Sequence, residues 1–340
     1  MKLLTIVIPS YNSEKWLGGC LDSLLIGLDD KLEVIIVNDG SKDKTSEIGH
    51  SYCDKYPFMQ IIDKENGGHG SGINVGLSHA TGLYFKVLDS DDQLDKEGLY
   101  ELIEMIEKHQ KENCLPDVYI ADYISNYVES KTQHINSLKK YFKVHEIMDV
   151  ENVKKFKLDD YMMLHCLFVK TELLKETKMN LLEKTFYEDN QYVYHTICHA
   201  KTYCHLEKPI YWYTLGREGQ SIAPENLVKN YAHQLRVQNA VVRMLNYEEI
   251  YSRPKNQRKM IIHELGIIHS LTYFYIYLAP DKEKVTQYKA FWKSLKVDDK
   301  KLYKKLHNRS IYSVALMVPG FARKLLIKIL YGPIKRMKGW

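Results

Sequence analysis

Cysteine in paired spacing is missing from this chain: its six cysteines (Cys20, Cys53, Cys114, Cys166, Cys198, Cys204) are scattered, with no C-x-x-C. That argues against a disulfide framework and suits free thiols in a reducing cytosol. His195, Cys198, His199 and Cys204 lie close together but match no common zinc spacing. No stretch approaches the ~18 uninterrupted apolar residues that a membrane-spanning helix needs. The opening segment, Met1 to Pro9, runs straight into a turn and does not read as a secretory signal. A Walker A motif is absent. The dinucleotide fingerprint G-x-G-x-x-G also fails, because Gly68 and Gly70 are followed by Ile73 where its third glycine belongs. Internal repeats and low-complexity linkers are lacking too. Together these absences point away from a secreted, membrane-spanning, P-loop or nicotinamide protein and towards a cytoplasmic one.

What is present describes a globular protein: 340 residues, 45% apolar or aromatic and 27% charged, enough for one large domain or two modest ones. The net charge of +5 is unevenly spread. Residues 281–340 carry 16 Lys/Arg against 4 Asp/Glu, whereas the remainder has an acidic surplus. The basic character is therefore local to the C-terminal end.

Apolar runs and helical periodicities alternate along the first hundred residues. Leu3–Ile8, Val34–Val37, Met59–Ile62 and Leu83–Leu88 read as strands, separated by helical patterns. Such alternation predicts an α/β fold with a mostly parallel, twisted sheet flanked by helices. Ligands bind beyond the carboxyl ends of such strands, and the unusual loops 9–12, 38–41 and 89–92 all fall there. Further strands are expected near 116–120 and 210–214, with β-structure over 122–147. Helices are expected over about 226–250, 255–279 and 281–295.

The cluster Asp89-Ser90-Asp91-Asp92 ends the fourth strand. Three carboxylates within four residues repel one another and need a cation or hydrogen-bond donors. Two readings are open: an acidic turn with Asp92 or Asp95 capping the next helix, or a divalent metal site carrying a phosphorylated ligand.

The ordered motifs Val7-Ile8-Pro9-Ser10-Tyr11-Asn12, Val37-Asn38-Asp39-Gly40-Ser41, Asn66-Gly67-Gly68 with Asn74 and Gly76, Asp89-Ser90-Asp91-Asp92 and Glu188-Asp189 resemble those of the family 2 glycosyltransferases of bacterial cell-surface polysaccharide synthesis. The resemblance spans about 3–222 and implies a GT-A nucleotide-sugar-binding fold. Its implied division is a catalytic domain over 1–222 (a nucleotide half, 1–115, and an acceptor half, 116–222) and a helical, basic C-terminal region over 223–340.

The same resemblance implies roles. Pro9, Tyr11 and Asp39 would hold the base, with Asn66 and Gly68 in the nucleotide-binding loop. Asp89 would contact the ribose, and Asp91 would bind Mn²⁺ or Mg²⁺. Asp92 would orient its loop or touch the donor sugar. Lys86 is open between a diphosphate contact and an ordinary strand-face lysine. Asp189 is the candidate general base, and Glu188 is a helix-start partner or a donor or acceptor contact. His165 is open between an acceptor contact and a satisfied buried histidine, and Arg217 between a diphosphate or acceptor contact and a surface arginine. Gln220 interrupts the arginine-glycine-serine element formed by Arg217, Gly219 and Ser221.

The expected function is inverting, metal-dependent transfer of a sugar from a nucleotide donor, UDP-linked in the first instance, to a lipid-linked or polysaccharide hydroxyl. A catalytically silent GT-A scaffold and a sugar nucleotidyltransferase are the alternatives. The basic, apolar stretch 321–340 reads either as an interfacial helix on an anionic inner-membrane surface or as a solvated tail packed on its own domain or on a second copy of the chain. No nucleic-acid-binding module accompanies the charge.

Overall fold

The computed structural model describes residues 2–157, 160–216, 220, 224–278 and 281–307. Its described residues fall into two compact units. The first comprises 1–154, 162–185 and 199–215, and the second 155–161, 186–198 and 216 onward. The stretch 186–198, which carries Glu188 and Asp189, thus groups with the helical unit, whereas the sequence reading placed it in a continuous domain over 1–222.

The first unit is built on a ten-stranded sheet. Its strands are β1 (Leu4–Ser10), β2 (Leu32–Asp39), β3 (Met59–Lys64), β4 (Tyr84–Val87), β5 (Gln93–Leu94), β6 (Val118–Tyr127), β7 (Thr132–Asn136), β8 (Ile147–Asp149), β9 (Leu167–Lys170) and β10 (Thr202–Leu215). The spatial order is β3-β2-β1-β4-β9-β6-β10-β5, with β7 on β6 and β8 on β10. Strands β1 to β4 are parallel. β9 enters antiparallel between β4 and β6. β10 returns parallel to β6. β1 and β2 are buried along their whole length, as strands covered by helices on both faces must be.

Helices α1 (Leu17–Asp22), α2 (Thr45–Lys55), α3 (His69–His79) and α4 (Lys96–Lys111) join the strands. α3 lies so close to β1 that a side chain at Gly76 would meet Val7 Cγ1 at 2.2 Å. Glycine there permits the approach. α4 buries Leu99, Leu102, Ile103 and Ile106, the stripe its spacing predicts. Its N-cap is Asp95, whose carboxylate accepts from the Gly98 amide at 2.8 Å. Asp92 is thereby released from the capping role.

Several expectations need correction. α1 begins at Leu17, with Trp16 at its N-cap. Leu167–Lys170 is strand, preceded by a 3-10 turn over Leu164–Cys166. β6 and β7 form the hairpin expected within 122–147. After α5 (Thr171–Glu176) the chain leaves the sheet unit, and α6 (Asp189–His199) opens the helical part. The single helix expected over 226–250 is three: α7 (Pro224–Lys229), α8 (Tyr231–Val241) and α9 (Tyr247–Tyr251). The break before α9 is enforced by a capping box, in which Asn246 accepts from the Glu249 amide and Glu249 accepts from the Asn246 amide. α10 (Lys255–Leu278), α11 (Lys282–Asp298) and α12 (Lys300–His307) follow. No helix among the described residues is long and apolar enough to cross a membrane. The basic stretch 321–340 lies outside the described residues.

Candidate active site

Lys86 and Tyr211 determine how the acidic loop is held. Lys86 sits on β4 with its side chain fully buried. Its ammonium donates to the carbonyls of Leu164 (3.0 Å), His165 (2.5 Å) and Leu167 (3.3 Å). It also lies over the rings of Phe168 and Tyr211. Burial pulls it down to about 7, against the opposing pull of Cys166, Asp89 and Asp92. It is therefore neither an exposed strand-face lysine nor a diphosphate contact, but a brace between β4 and the 164–167 turn.

Beyond β4 the chain turns at once, the Asp92 amide donating to the Asp89 carbonyl at 3.0 Å. Asp92 is buried. It accepts from the Tyr211 hydroxyl at 2.9 Å and from the Thr214 amide at 2.8 Å. The same Tyr211 oxygen accepts from the Asp89 amide at 3.2 Å. One phenol on β10 thus fixes both ends of the acidic loop. Burial first, then the charges of Asp91 and Asp89, push the Asp92 carboxyl well above its ordinary range. Asp89 behaves oppositely. Burial would raise it, but the hydrogen bond and charge of His69, whose Nε2 lies 3.0 Å from Asp89 Oδ1, hold it down at about 2.

His165 is buried in an aromatic box. It stacks on Tyr211 at 4.6 Å, with Tyr213 edge-on at 4.1 Å and Tyr123 at 5.7 Å. Ligand atoms of Asp89, Asp92 and His165 all lie within 4.8 Å of one another. The donor chemistry fits a divalent cation: two carboxylates and one imidazole bring oxygen and nitrogen ligand atoms together at one point. The converging trio contains Asp89 rather than Asp91, which stands half-buried next to it.

The first two strand ends supply the neighbouring wall. Asp39, at the end of β2, is buried and accepts from Lys64 Nζ (2.6 Å) and the amides of Gly67 (2.8 Å) and Gly68 (2.7 Å). Asn66 adds a bond to the Asp39 carbonyl at 3.0 Å. Gly68 has φ of 87°, and a side chain there would meet the Lys184 backbone at 3.1 Å. Asp39 is thus first the anchor of the glycine loop, with capacity for a further donor only at Oδ2. Pro9 packs beneath the loop, its Cβ 2.9 Å from where a Gly72 side chain would begin. Tyr11 is 52% exposed, which rules out a core ring. Its loop is stitched down by Asn12 to Ser41, by Ser13 to Thr45 and by a 2.6 Å contact between the Ser13 and Ser90 hydroxyls.

Glu188 and Asp189 open α6 in the second unit. Glu188 is buried, whereas Asp189 is half-buried and accepts from Asn190 Nδ2 at 3.0 Å. Tyr187, just before them, holds a left-handed φ of 69°. Arg217, Gly219 and Ser221 lie outside the described residues. Gln220 accepts from the Gly216 amide at 2.9 Å. Cys198 and Cys204 are buried thiols pushed up to about 12, chiefly by burial.

Sequence reasoning missed His69, Lys64 and Tyr211. His69 and Lys64 flank a quoted motif, and a charge adjoining a glycine loop is a usable signal. Tyr211 is 119 positions from Asp92, and nothing local announces that pairing.

Residues 5–173 match the family described as Glycosyl transferase family 2. The minor teichoic acid biosynthesis protein GgaB of Bacillus subtilis is 31% identical over 224 residues, which is 64% of this chain and 23% of GgaB. The chain spans less than a third of the length of the curated relatives it matches first. Among solved structures, the Staphylococcus aureus TarS 1-349 fragment in complex with UDP superposes with a TM-score of 0.60 at 23% identity, covering 85% of this chain and 78% of that one. The mannosyltransferase PcManGT of Pyrobaculum calidifontis, in complex with GDP-Man and Mn²⁺, gives 0.55 at 14% identity, covering 92% and 84%. Those two likenesses concern the fold. The family match, over the same residues that carry the motifs at the strand ends, places the chain in glycosyl transferase family 2.

Proposed function

We propose that the chain is an inverting, metal-dependent glycosyltransferase that moves a sugar from a UDP-linked donor to a hydroxyl of a lipid-linked or polysaccharide acceptor in cell-surface glycan synthesis. The observation that carries the proposal is the acidic loop. Tyr211 holds the Asp89 amide and, with Thr214, the Asp92 carboxylate, so that ligand atoms of Asp89, Asp92 and His165 converge within 4.8 Å of one another. The family relationship, the teichoic acid relative and the UDP complex of the TarS fold neighbour support the same reading.

In this mechanism the exposed Tyr11 ring stacks on the base. Asp39 keeps the Gly67–Gly68 loop in place and offers the remaining capacity of Oδ2 to a base N–H. Asp91 and the convergence of Asp89, Asp92 and His165 would hold the cation, with Asp89 also at the ribose end of the donor, while Tyr211 keeps the loop from moving. A bound Mn²⁺ or Mg²⁺ would neutralise charge developing on the departing diphosphate. Asp189 accepts the acceptor hydroxyl proton as that oxygen bonds to the anomeric carbon and the bond from that carbon to phosphate oxygen breaks. One displacement inverts the centre.

The test is donor hydrolysis by the full chain with UDP-, GDP- and dTDP-sugars, with and without Mn²⁺. Turnover should require a UDP-sugar and metal. Asp91→Ala should abolish turnover and metal-dependent UDP binding, while Asp189→Asn should keep UDP binding and lose transfer by about 10²–10⁴-fold. Normal transfer by Asp189→Asn would remove the base assignment.

A further inference from the structure

Phe186 is 48% exposed, three residues before Asp189 and in the same unit. We propose that Phe186 and His233 form a platform for one pyranoside ring of the acceptor, an inference that rests on Asp189 being the base.

The local chain is arranged to present that ring. Tyr187 adopts φ of 69°, a conformation unfavourable for an aromatic residue. It is held there from two sides. Its ring packs on Tyr275 at 5.3 Å, and its carbonyl accepts from both the amide (3.2 Å) and the side chain (2.8 Å) of Asn190. Tyr187 is thereby turned inward while Phe186 remains at the surface.

His233, on α8, supports the Phe186 ring edge-on, with centroids 5.3 Å apart and planes at 67°. Its Nδ1 accepts from the Phe186 amide at 3.3 Å. An accepting Nδ1 on a neutral imidazole places the ring proton on Nε2. Burial, then Arg236, lower the His233 pKa and favour that neutral form. The pair therefore combines an open aromatic face with one N–H donor at its edge. A pyranoside offers the complement: a face of axial C–H groups with hydroxyl oxygens at the rim. An acyl chain would leave the donor unused, and a phosphate would leave the aromatic face unused. Asn190 links the platform to the chemistry, because the amide that holds the Tyr187 carbonyl also donates to Asp189 Oδ1 at 3.0 Å.

The experiment is saturation-transfer NMR on the full chain with UDP present, using methyl β-glycosides of glucose, galactose and N-acetylglucosamine as probes. At least one should receive saturation at its axial C–H protons. Phe186→Ala should weaken that contact about tenfold and Phe186→Trp restore it, as expected for loss and return of a stacking face. His233→Phe, which keeps an aromatic support but removes the donor, should weaken it about threefold. UDP affinity should stay unchanged in all three variants. If no glycoside contacts the wild type, or if Phe186→Ala binds as the wild type does, the platform is overturned. Such a result with UDP binding intact leaves the function reading standing. Normal transfer by Asp189→Asn would instead remove the base assignment and leave the glycoside contact measurable.

Discussion

In the sheet unit, buried charges come with partners. Asp39 has three donors, Lys86 three carbonyls, and Glu33 accepts from Thr5 and twice from Thr81. His205 and Asp122 pair at 2.9 Å across β10 and β6. The helical unit is different. Gln238 on α8 and His269 on α10 are fully buried, yet neither the amide atoms of Gln238 nor the ring nitrogens of His269 meet a hydrogen-bonding group among the described residues. The contrast separates two uses of buried polarity. Around the strand ends it fixes the loops that carry the exposed Tyr11 and the half-buried Asp89. In the helix pack it opposes stability.

Asp39 gives the largest expected break in that comparison. Asp39→Ala leaves Lys64 Nζ and two glycine amides without their shared acceptor, so unfolding free energy should fall by about 3–5 kcal/mol. Urea denaturation of the full chain measures it. Asp39→Asn, which keeps the acceptor oxygen but not the charge, should lose roughly half as much. A fall below about 1 kcal/mol for Asp39→Ala would show the carboxylate to be solvated and the loop to be held otherwise.

Much of this half was legible beforehand, and for a physical reason. β1 to β4 are local apolar runs whose loops carry their own signals, so these strands and their parallel arrangement followed from pattern. The second half of the sheet was harder to read. β9 is four residues inserted antiparallel, and β10 is a long strand with register shifts near Pro209. The roles of Lys86 and Tyr211 depend on those strands, which is why Lys86 read as an ordinary strand lysine. The three carboxylates of the acidic loop likewise looked alike in sequence. In the fold, Tyr211 and Thr214 distinguish the buried Asp92, and His69 sets Asp89 apart.

Lys86 gives the next effect, read through pH. In the folded chain its ammonium loses its proton near 7, whereas the ordinary lysine value is 10.5. Between those limits the unfolded state holds more protons, so stability rises with pH. The contribution from Lys86 should amount to about 2 kcal/mol between pH 7 and 9. Lys86→Met removes the titrating group, and its denaturation free energy should change by that much less over the same interval. An identical pH slope in both proteins would mean that Lys86 keeps its proton through the three carbonyls, which would sharpen the view that this unit satisfies its charges fully.

The smallest effect should have the opposite sign. Gln238 lies on the face of α8 that also carries Gln234, whose Nε2 reaches Thr272 Oγ1 on α10 at 3.3 Å. Gln234 keeps one hydrogen bond, while Gln238 has none among the described residues. Gln238→Leu is of similar volume, branches one carbon nearer the backbone and removes two desolvated polar atoms. It should therefore stabilise the chain by about 1 kcal/mol, the usual scale for an unsatisfied buried group. Gln234→Leu should gain less, because it also forfeits the bond to Thr272. Thermal denaturation of the two variants side by side tests the ordering. If both substitutions destabilised, the helical unit would be using its glutamines as the sheet unit uses Asp39, and the contrast between the two units would disappear.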